Sequence, residues 1–447
     1  MSAPIRDHPF PGRLEVSFLT LCTLSFALPV FADLKGLEGL RAVPLMASES
    51  MPNPIMGVGV GHDGTVYVTE TIRQQREEIS LIQSPFLHPH CMALDTTEAK
   101  RKWILENYSA NIIGRQGVRD FNGDGKVDVL DLSVRSEKIH TLQDRDGDGV
   151  YDKATLFAGG FNDVLTGCAH SVAPIDGHVY ATIIPDLWKL TDVDGDGVAD
   201  RRESLAHGFA PHIGYGNHDL HSILQGYDGK LYWSMGDRGA NVLSKEGKRV
   251  SNPHSGCILR CNPDGSEFEV FAHGLRNCQY FDFDNYGNLF AVDHDADFQG
   301  ERERLVYLPE GSDSGWRMYY QYRNTTLVRA AREDLYNPWL AEKMWIPFHS
   351  GQPSHILPTI ENSWNAPAAF SFQPGTALGG AYGDHFLLGG AGNVRAFKMV
   401  AHGAGFKREG DHVPIQGLGW QVLTSTFSPD GRLFFTLWKP RGNRSQL

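Results

Sequence analysis

The stretch Asn217–Asn241, NHDLHSILQGYDGKLYWSMGDRGAN, decides the fold of this chain. Asp228-Gly229 is a hairpin-turn pair, and the aromatic-rich run after it, residues 230–235, is typical of a β-strand. Polar residues flank this unit, with His218 before it and Asp237 in the Gly-rich loop after it. Because a tight hairpin brings its two flanks together, the sequence predicts that His218 and Asp237 share one rim of the fold.

The same turn-plus-strand unit recurs along the chain, and the recurrence predicts the architecture. Its six copies are at residues 63–67, 176–180, 228–232, 286–290, 383–386 and 430–434. Adjacent copies are about fifty residues apart where they are closest, which is the length of one four-stranded propeller blade. One copy would be a common hairpin, but six predict an all-β fold, a six-bladed β-propeller.

Composition agrees with this architecture and excludes one class of partner. The chain of 447 residues contains 49 glycines and 11% aromatic residues, as turn-rich β structure requires. Its formal net charge of −12 argues against nucleic acid as a partner, because binding phosphates needs clustered Lys and Arg.

Residues 1–32 have the order of a secretory signal peptide. Arginines precede an apolar run, Val16–Ala32, which ends with small residues at the cleavage positions. The alternative is a retained membrane anchor, but the run is short for a bilayer span and contains Pro29. We expect cleavage, which leaves a propeller domain over residues 33–447 without a membrane span, in the periplasm or secreted.

The cysteines predict buried thiols rather than disulfides. Five remain after the signal, an odd number that cannot all pair within one chain. Cys257 and Cys261 are close in sequence, but the residues between them predict strand, and four residues of strand span roughly 13 Å, beyond disulfide reach. The sequence contains no zinc-type spacing and no haem-attachment motif.

One segment, residues 71–110, interrupts the β pattern. Residues 95–98 have the order of a helix capping box, and residues 99–108 carry apolar side chains at helical spacing. We expect a helical insertion, either as a lid over the propeller or as surface decoration.

Three acidic loops in residues 120–203 form the strongest local motif. Oxygen ligands at positions 1, 3 and 5, a Gly at position 6 and a carboxylate at position 9 or 12 wrap a Ca²⁺ ion in EF-hand-like loops. The ligand positions of the first loop are Asp120, Asn122, Asp124, Lys126, Asp128 and Asp131. Those of the second loop are Asp144, Asp146, Asp148, Val150 and Asp152. Those of the third loop are Asp192, Asp194, Asp196, Val198, Asp200 and Glu203.

The loops differ at the twelfth position, and this difference predicts how strongly each loop binds Ca²⁺. The first and third loops have a carboxylate there, whereas the second has Thr155, so we expect the second to bind Ca²⁺ most weakly. The flanking residues predict strands, so the loops join strands rather than paired helices. The alternative is that they are solvated acidic turns without an ion.

Three motifs in a fixed order carry a family resemblance. They are HDLHSILQGYDGKLYWSMGDRGAN at 218–241, GLRNCQYFDFDNYGNLFAVDHDAD at 274–297 and GSDSGW at 311–316. Together they resemble the soluble quinoprotein glucose and sorbosone dehydrogenase propellers, and more closely their relatives called membrane-bound dehydrogenase domains. The resemblance spans residues 57–438.

The resemblance implies a calcium-dependent quinoprotein that oxidises a sugar or alcohol hydroxyl by hydride transfer to pyrroloquinoline quinone, with a separate electron acceptor. It assigns the catalytic roles to His218 and Arg276. It assigns cofactor binding to Asn277, Gln279 and Arg395, and a cofactor-bridging Ca²⁺ to the backbone carbonyls of Asp295 and Ala296. The chain departs from the family pattern at Asn217, where the enzymes have an acidic residue, and at Val242, where they have glutamine.

Two other function classes stay open on the sequence. The first is a non-catalytic propeller, stabilised by calcium, that binds glycan or protein. The second is a calcium-dependent lactonase, since propellers also host metal-assisted hydrolysis. A lactonase would need a metal that side chains ligate in the central channel.

The acidic loops yield a stability prediction. An ion that binds only the folded loop stabilises it by about 2.7 kcal/mol per site at a hundredfold excess over its dissociation constant. We expect Asp196→Ala to lower the melting midpoint in Ca²⁺ but to change it little, or raise it, in chelator, because carboxylate repulsion is relieved. Asp148→Ala should show the same pattern more weakly. A melting curve that chelator leaves unmoved would show that the loops are solvated turns.

Overall fold

The computed structural model describes residues 15–20, 33–34, 41–44, 53–73, 78–81, 84, 87–109, 117–147, 150–214, 216–294, 301–318, 338–353, 356–362, 367–373, 375 and 377–438. The first three ranges are described by their backbone alone. These residues form an all-β protein in a β-propeller arrangement, with five sheets of four or more strands and one two-stranded ribbon.

The elements follow one another in this order. The strands are β1 (Glu15–Thr20), β2 (Asp33–Leu34), β3 (Arg41–Pro44), β4 (Ile55–Val60), β5 (Val66–Glu70), β6 (Glu137–Gln143), β7 (Lys153–Phe161), β8 (Ala169–Ile175), β9 (His178–Ile183), β10 (Asp186–Thr191), β11 (Arg201–His207), β12 (Leu220–Gln225), β13 (Leu231–Met235), β14 (Ala240–Leu243), β15 (Arg249–Asn252), β16 (Gly256–Cys261), β17 (Glu269–Leu275), β18 (Cys278–Phe283), β19 (Leu289–Asp293), β20 (Arg304–Tyr307), β21 (Glu361–Asn362), β22 (Phe370–Phe372), β23 (Phe386–Gly389), β24 (Ala391–His402), β25 (Gly405–Phe427) and β26 (Leu433–Trp438). The α-helices are α1 (His88–Met92), α2 (Thr97–Asn107) and α3 (Pro338–Ala341), and 3-10 turns cover Val129–Ser133 and Ala377–Gly380.

Four sheets are built from strands that lie near one another in sequence, and the fifth joins β1–β3 to the last strands of the described chain. Four sheets have four strands each: β4–β7, β8–β11, β12-β13-β16-β17 and β18–β21. The eight-stranded sheet has the order β22-β23-β24-β25-β26-β1-β3, with β2 paired to β25. Pairing is antiparallel except that β1 runs parallel to both β26 and β3. The predicted propeller is therefore confirmed, whereas its count of six blades stays a prediction.

A central cavity of about 320 Å³ lies where the innermost strands converge. Residues of β4, β8, β12, β18, β22 and the end of β25 line it. Glycines let two of these strands approach closely, since a Cβ on Gly57 would lie 2.2 Å from the carbonyl oxygen of His170 and one on Gly59 would lie 2.3 Å from that of Val172. The sequence GVGVG in and after β4 is thus explained by contact with β8.

The hairpin that organises the sequence forms as expected. Gly229 has a φ of 78°, which glycine adopts without strain, and its N–H donates to the Gly226 carbonyl at 2.9 Å. The turn sets the register of β12 against β13, in which Leu220 lies opposite Met235. The strand begins at Leu231, and its Trp233 is fully buried.

The predicted helical insertion is present as α1 and α2. The Thr96 side chain accepts a hydrogen bond from the Ala99 N–H at 3.0 Å and caps α2. Ile104 of α2 packs in a cluster with Leu165, which precedes β8, and Ile213, which precedes β12. The insertion therefore packs against the loops that lead into the inner strands, and its role as a lid or as surface decoration stays a prediction.

The cysteine prediction is confirmed for the described residues. Cys91, Cys168, Cys257, Cys261 and Cys278 are buried, and no disulfide joins any two of them. Cys257 and Cys261 lie at the two ends of β16, as the predicted strand requires.

The signal peptide stays a prediction. Within residues 1–32, β1 is described, and it pairs with β26. In the part of the chain that the structure describes, no helix combines the length and apolar character needed to cross a bilayer.

A buried ion pair anchors the sheet β18–β21 and gives a stability prediction. Arg304 and Asp293 are fully buried, and their side chains are 2.6 Å apart. We expect Arg304→Leu to lower the free energy of unfolding by about 3–5 kcal/mol, because it leaves the Asp293 carboxylate without its counter-charge.

Denaturant unfolding measures this loss, with Arg395→Leu as the control. Arg395 pairs with Asp411 on a partly exposed strand, with side chains 23% and 38% exposed, so its loss should cost less than about 1 kcal/mol. Equal effects of the two substitutions would contradict the interpretation.

Candidate active site

The residues predicted to share a rim do lie together. His218 precedes β12, Asp237 follows β13, and the His218 Nδ1 lies 2.6 Å from an Asp237 carboxylate oxygen. Gly236 makes the approach possible, because a Cβ there would lie 2.6 Å from the His218 carbonyl. The hairpin thus joins two side chains that are 19 positions apart, and the prediction is confirmed.

Asp237 is the buried centre of this arrangement. Its second carboxylate oxygen accepts a hydrogen bond from the Trp316 indole N–H at 2.9 Å, and the side chain has no exposed surface. Burial raises the pKa of Asp237 to about 6, against opposing effects of Arg276 and the Trp316 hydrogen bond. When the carboxylate is ionised it accepts the Nδ1–H of His218, so the lone pair of the neutral imidazole is on Nε2.

Arg276 is held at the same rim by its backbone and its side chain. Its carbonyl accepts the Asp237 N–H at 2.7 Å, and its own N–H donates to both oxygens of Asp293 at 3.0 and 3.1 Å. The guanidinium donates to the His294 carbonyl at 2.9 Å and lies 5.9 Å above the Trp316 ring. One indole therefore touches the carboxylate that orients His218 and lies beneath the arginine.

Of the predicted cofactor-binding residues, Asn277 and Gln279 lie close to Arg276 in the chain, whereas Arg395 lies in another sheet. The side-chain oxygen of Asn277 lies 2.8 Å from His221 Nε2, and its backbone N–H donates to Asp293 at 2.8 Å, so its role in cofactor binding stays a prediction. Gln279 lies on the inner strand β18 and is partly exposed. Arg395 lies on β24, two strands outward from the channel, and donates to Asp411 at 2.8 Å. The structure does not bring Arg395 together with His218.

Sequence reasoning missed the part that Trp316 plays. The motif GSDSGW placed it in the family pattern, but no spacing rule connects it to Asp237, 79 positions away. The buried pair of Asp293 and Arg304, which fixes the backbone of Arg276 and Asn277, was also missed.

The third acidic loop has the geometry closest to a cation site. Carboxylate oxygens of Asp192, Asp194 and Asp200 lie within 4.8 Å of one another. The Asp196 carboxylate is held by the loop backbone, since the Val198 N–H donates to it at 2.8 Å. Glu203 lies on β11, opposite Lys189 of β10.

The first loop uses its acidic residues differently. Asp131 is 2% exposed, and its oxygens accept N–H groups of Phe121, Asn122 and Asp128 at 2.7, 3.2 and 2.9 Å. It forms a reciprocal cap with Asp128 on the 3-10 turn. Asp120 accepts the N–H groups of residues 123–125, and Asp124 accepts that of Lys126 at 2.9 Å. Asp131 thus closes the loop from inside, and its role as a Ca²⁺ ligand stays a prediction.

The second loop is only partly described. Asp152 pairs with Arg145 at 2.9 Å, which occupies the carboxylate at its ninth position. Asp144 accepts the Gly147 N–H at 2.8 Å. Asp148 lies outside the described residues, as do Asp295 and Ala296, whose carbonyls were predicted to hold a cofactor-bridging Ca²⁺.

A family model described as "Domain of unknown function (DUF7133)" matches residues 41–426. No curated protein sequence matches the chain. Among solved structures, the chain is similar to the PQQ-bound form of an aldose sugar dehydrogenase from Streptomyces coelicolor, with 15% identity, 91% of this chain and 92% of that chain covered, and a TM-score of 0.49. It is also similar to the holo form of the pyranose dehydrogenase PQQ domain from Coprinopsis cinerea, with 10% identity, coverage of 94% and 97%, and a TM-score of 0.48. The expected resemblance to sugar dehydrogenases is confirmed, at low identity.

Proposed function

The chain belongs to the family described as "Domain of unknown function (DUF7133)". We propose that it is a quinoprotein dehydrogenase. In this proposal it oxidises a hydroxyl of a sugar or alcohol. The observation that carries the proposal is the His218–Asp237–Trp316 arrangement with Arg276 at the same rim. A base and a cation beside each other are what oxidation of a hydroxyl by hydride transfer requires.

His218 is the proton acceptor. Its Nδ1 is held by Asp237, so Nε2 accepts the hydroxyl proton as the substrate C–H bond loses its hydride. The buried Asp237 carboxylate stabilises the imidazolium that forms, and Trp316 holds that carboxylate in place. Pyrroloquinoline quinone, when bound, supplies the hydride acceptor that no side chain provides.

The donor set fits this cofactor at one end. Arg276 offers a guanidinium, backed by the Trp316 ring, to a ligand with ionised carboxylates or a developing negative oxygen. Gln279, which is partly exposed, offers an amide on the inner strand β18 that follows Arg276. A bridging Ca²⁺ at the carbonyls of Asp295 and Ala296 belongs to the proposal on the family resemblance alone.

In this proposal the propeller has six blades. The eight-stranded sheet comprises two blades that share β25, since β24 pairs with residues up to 421 of β25 and β26 pairs with residues 421–427. Six strand segments around the cavity support this count of six blades.

The proposal also covers the acidic loops and the location of the protein. The acidic loops bind Ca²⁺, the third most strongly. The protein is exported, and it passes its electrons to a separate acceptor.

The other function classes predict different chemistry in the channel. Of the described residues that line the cavity, Asp282 is the one carboxylate, and it accepts N–H groups of Phe372 and Phe283 at 2.7 and 2.8 Å. A lactonase-type metal held by several channel side chains is therefore not favoured by these residues. A non-catalytic glycan-binding propeller stays an outcome of the test below.

Quinone titration tests the proposal directly. The purified protein is titrated with pyrroloquinoline quinone in Ca²⁺, followed by absorbance, and then assayed with aldoses and an artificial electron acceptor. We expect saturable binding and turnover. Absence of both, together with glycan binding that survives His218→Ala, would establish the non-catalytic alternative.

The base is tested by a matched pair of histidines. We expect His218→Gln to lower kcat by about 10²–10⁴-fold while quinone binding persists, because only proton transfer is removed. His140→Gln is the control, since His140 also pairs with a buried carboxylate, Glu70, at 2.8 Å but lies in another sheet. Similar losses of kcat in both variants would show that the effect of His218→Gln comes from a disturbed fold and not from lost proton transfer.

The pH profile tests the role of Asp237. Its carboxylate must be ionised to orient His218, so activity should fall as pH drops through about 6, where Asp237 takes up its proton. Trp316→Phe removes a hydrogen bond that lowers the pKa of Asp237. We therefore expect the acid limb to move to higher pH by roughly one unit.

Trp339→Phe is the control for the lost indole volume. Trp339 is as deeply buried as Trp316 and contacts it, but its indole N–H donates to Glu301 instead. An acid limb that moves equally in both variants, or in neither, would contradict the role given to Trp316.

A further inference from the structure

A second cluster of chemically competent side chains lies beneath the rim. Cys168 precedes β8, His170 is the second residue of β8, and Asp219 precedes β12. All three are buried, and each offers one ligand atom within 4.8 Å of the other two. The cluster joins the beginnings of two neighbouring inner strands, and neither the proposed proton transfer nor the quinone uses it.

Two histidine nitrogens beside this cluster have unsatisfied hydrogen-bonding capacity. His170 is 4% exposed, and its buried Nε2 has no hydrogen-bond partner among the described residues. His221 is 1% exposed, and its Nδ1 is likewise buried without a partner in the described part of the chain. The two rings touch, with centroids 4.2 Å apart. A buried polar atom left without a partner costs about 1–3 kcal/mol. A ligand that binds such a nitrogen would remove this cost.

The carboxylate of the cluster is held in position by its neighbours. One oxygen of Asp219 pairs with Arg238, and the other accepts the Cys168 N–H at 3.2 Å. Arg238 also pairs with the buried Glu78 at 3.3 Å. Such hydrogen bonds to a ligating carboxylate orient it and are typical of metal sites.

A glycine keeps the cluster compact. A Cβ on Gly167 would lie 2.6 Å from an Asp219 carboxylate oxygen and 2.4 Å from Ile184. Any side chain here would push Asp219 away from Cys168. The close approach of the two strands is therefore built into the sequence Gly167-Cys168-Ala169-His170.

We propose that Cys168, His170 and Asp219 bind a zinc-class divalent transition metal. A thiolate, an imidazole and a carboxylate are the donors that Zn²⁺ takes, whereas Ca²⁺ takes oxygen alone. On binding, the S–H bond of Cys168 breaks, a Zn–S bond forms, and the proton leaves to solvent. Motif spacing does not reveal the site, because its ligands come from two strands.

The test uses the full-length protein without quinone or Ca²⁺, so its outcome is independent of the proposed dehydrogenase activity. Protein loaded with Co²⁺ should show thiolate-to-cobalt charge-transfer absorption, which Zn²⁺ abolishes by displacement and Ca²⁺ does not. Cys168→Ser should lose this band. Cys261→Ser is the control, because Cys261 is an equally buried thiol at the far end of β16 and should leave the band unchanged.

X-ray absorption at the zinc edge keeps the test decisive if a variant does not fold. The Zn²⁺-loaded wild-type protein should show one sulfur neighbour at about 2.3 Å and nitrogen or oxygen neighbours at about 2.0–2.2 Å. His170→Gln should lower the zinc retained after dialysis well below one ion per chain. A zinc shell without sulfur, or a Co²⁺ band that survives in Cys168→Ser, would overturn the proposal.

Discussion

The rim of the propeller depends on one buried carboxylate, that of Asp237. Its oxygens bind His218 and Trp316, and its N–H donates to the Arg276 carbonyl. These contacts tie the hairpin of β12 and β13 to the start of β18 and to the segment that ends the third motif. The group has no exposed surface, and the loss of hydration raises its pKa to about 6, although Arg276 and the Trp316 hydrogen bond act to lower it. The orientation of the base, His218, depends on the ionisation of Asp237. A small change in the pKa of Asp237 therefore changes the fraction of His218 that is correctly oriented near pH 6.

The sequence predicted the parts of the site that local structure dictates. A turn between two strands fixes the relation of His218 to Asp237 through backbone geometry, so their contact follows from the pattern alone. The Asn277 amide shows the limit of such reasoning. Its position at the rim was expected, but whether the side chain faces a ligand or His221 depends on rotamers and burial in a neighbouring sheet, which no pattern in one strand encodes.

Contacts between distant segments account for most of what was not foreseen. Trp316 reaches Asp237 from a segment 79 positions away along the chain. Arg304 pairs with Asp293 inside one sheet, directly opposite it on the neighbouring strand, and residue spacing does not show that both side chains are buried. Arg395 was assigned to the cofactor by the family resemblance alone. The strand order puts it two strands outward, against Asp411, and its contact with a cofactor stays a prediction. Residue type and spacing do not define how far a strand lies from the axis.

The two kinds of candidate metal site are separated by solvation. The acidic loops lie at mostly exposed positions; the second and third join strands, whereas the first leads into a 3-10 turn. At such positions a hard cation such as Ca²⁺ can keep some of its water, and several carboxylates near one another are tolerated. The Cys168 cluster lies in the interior, where an assembly of bare carboxylates would be too costly. There a thiol and imidazoles, which are neutral until a metal displaces the thiol proton, can be buried with only one carboxylate, and that one is matched by Arg238. The cost of desolvating charged groups therefore favours a thiol and imidazole site in the interior of this fold. The same cost favours carboxylate-rich loops at its exposed periphery.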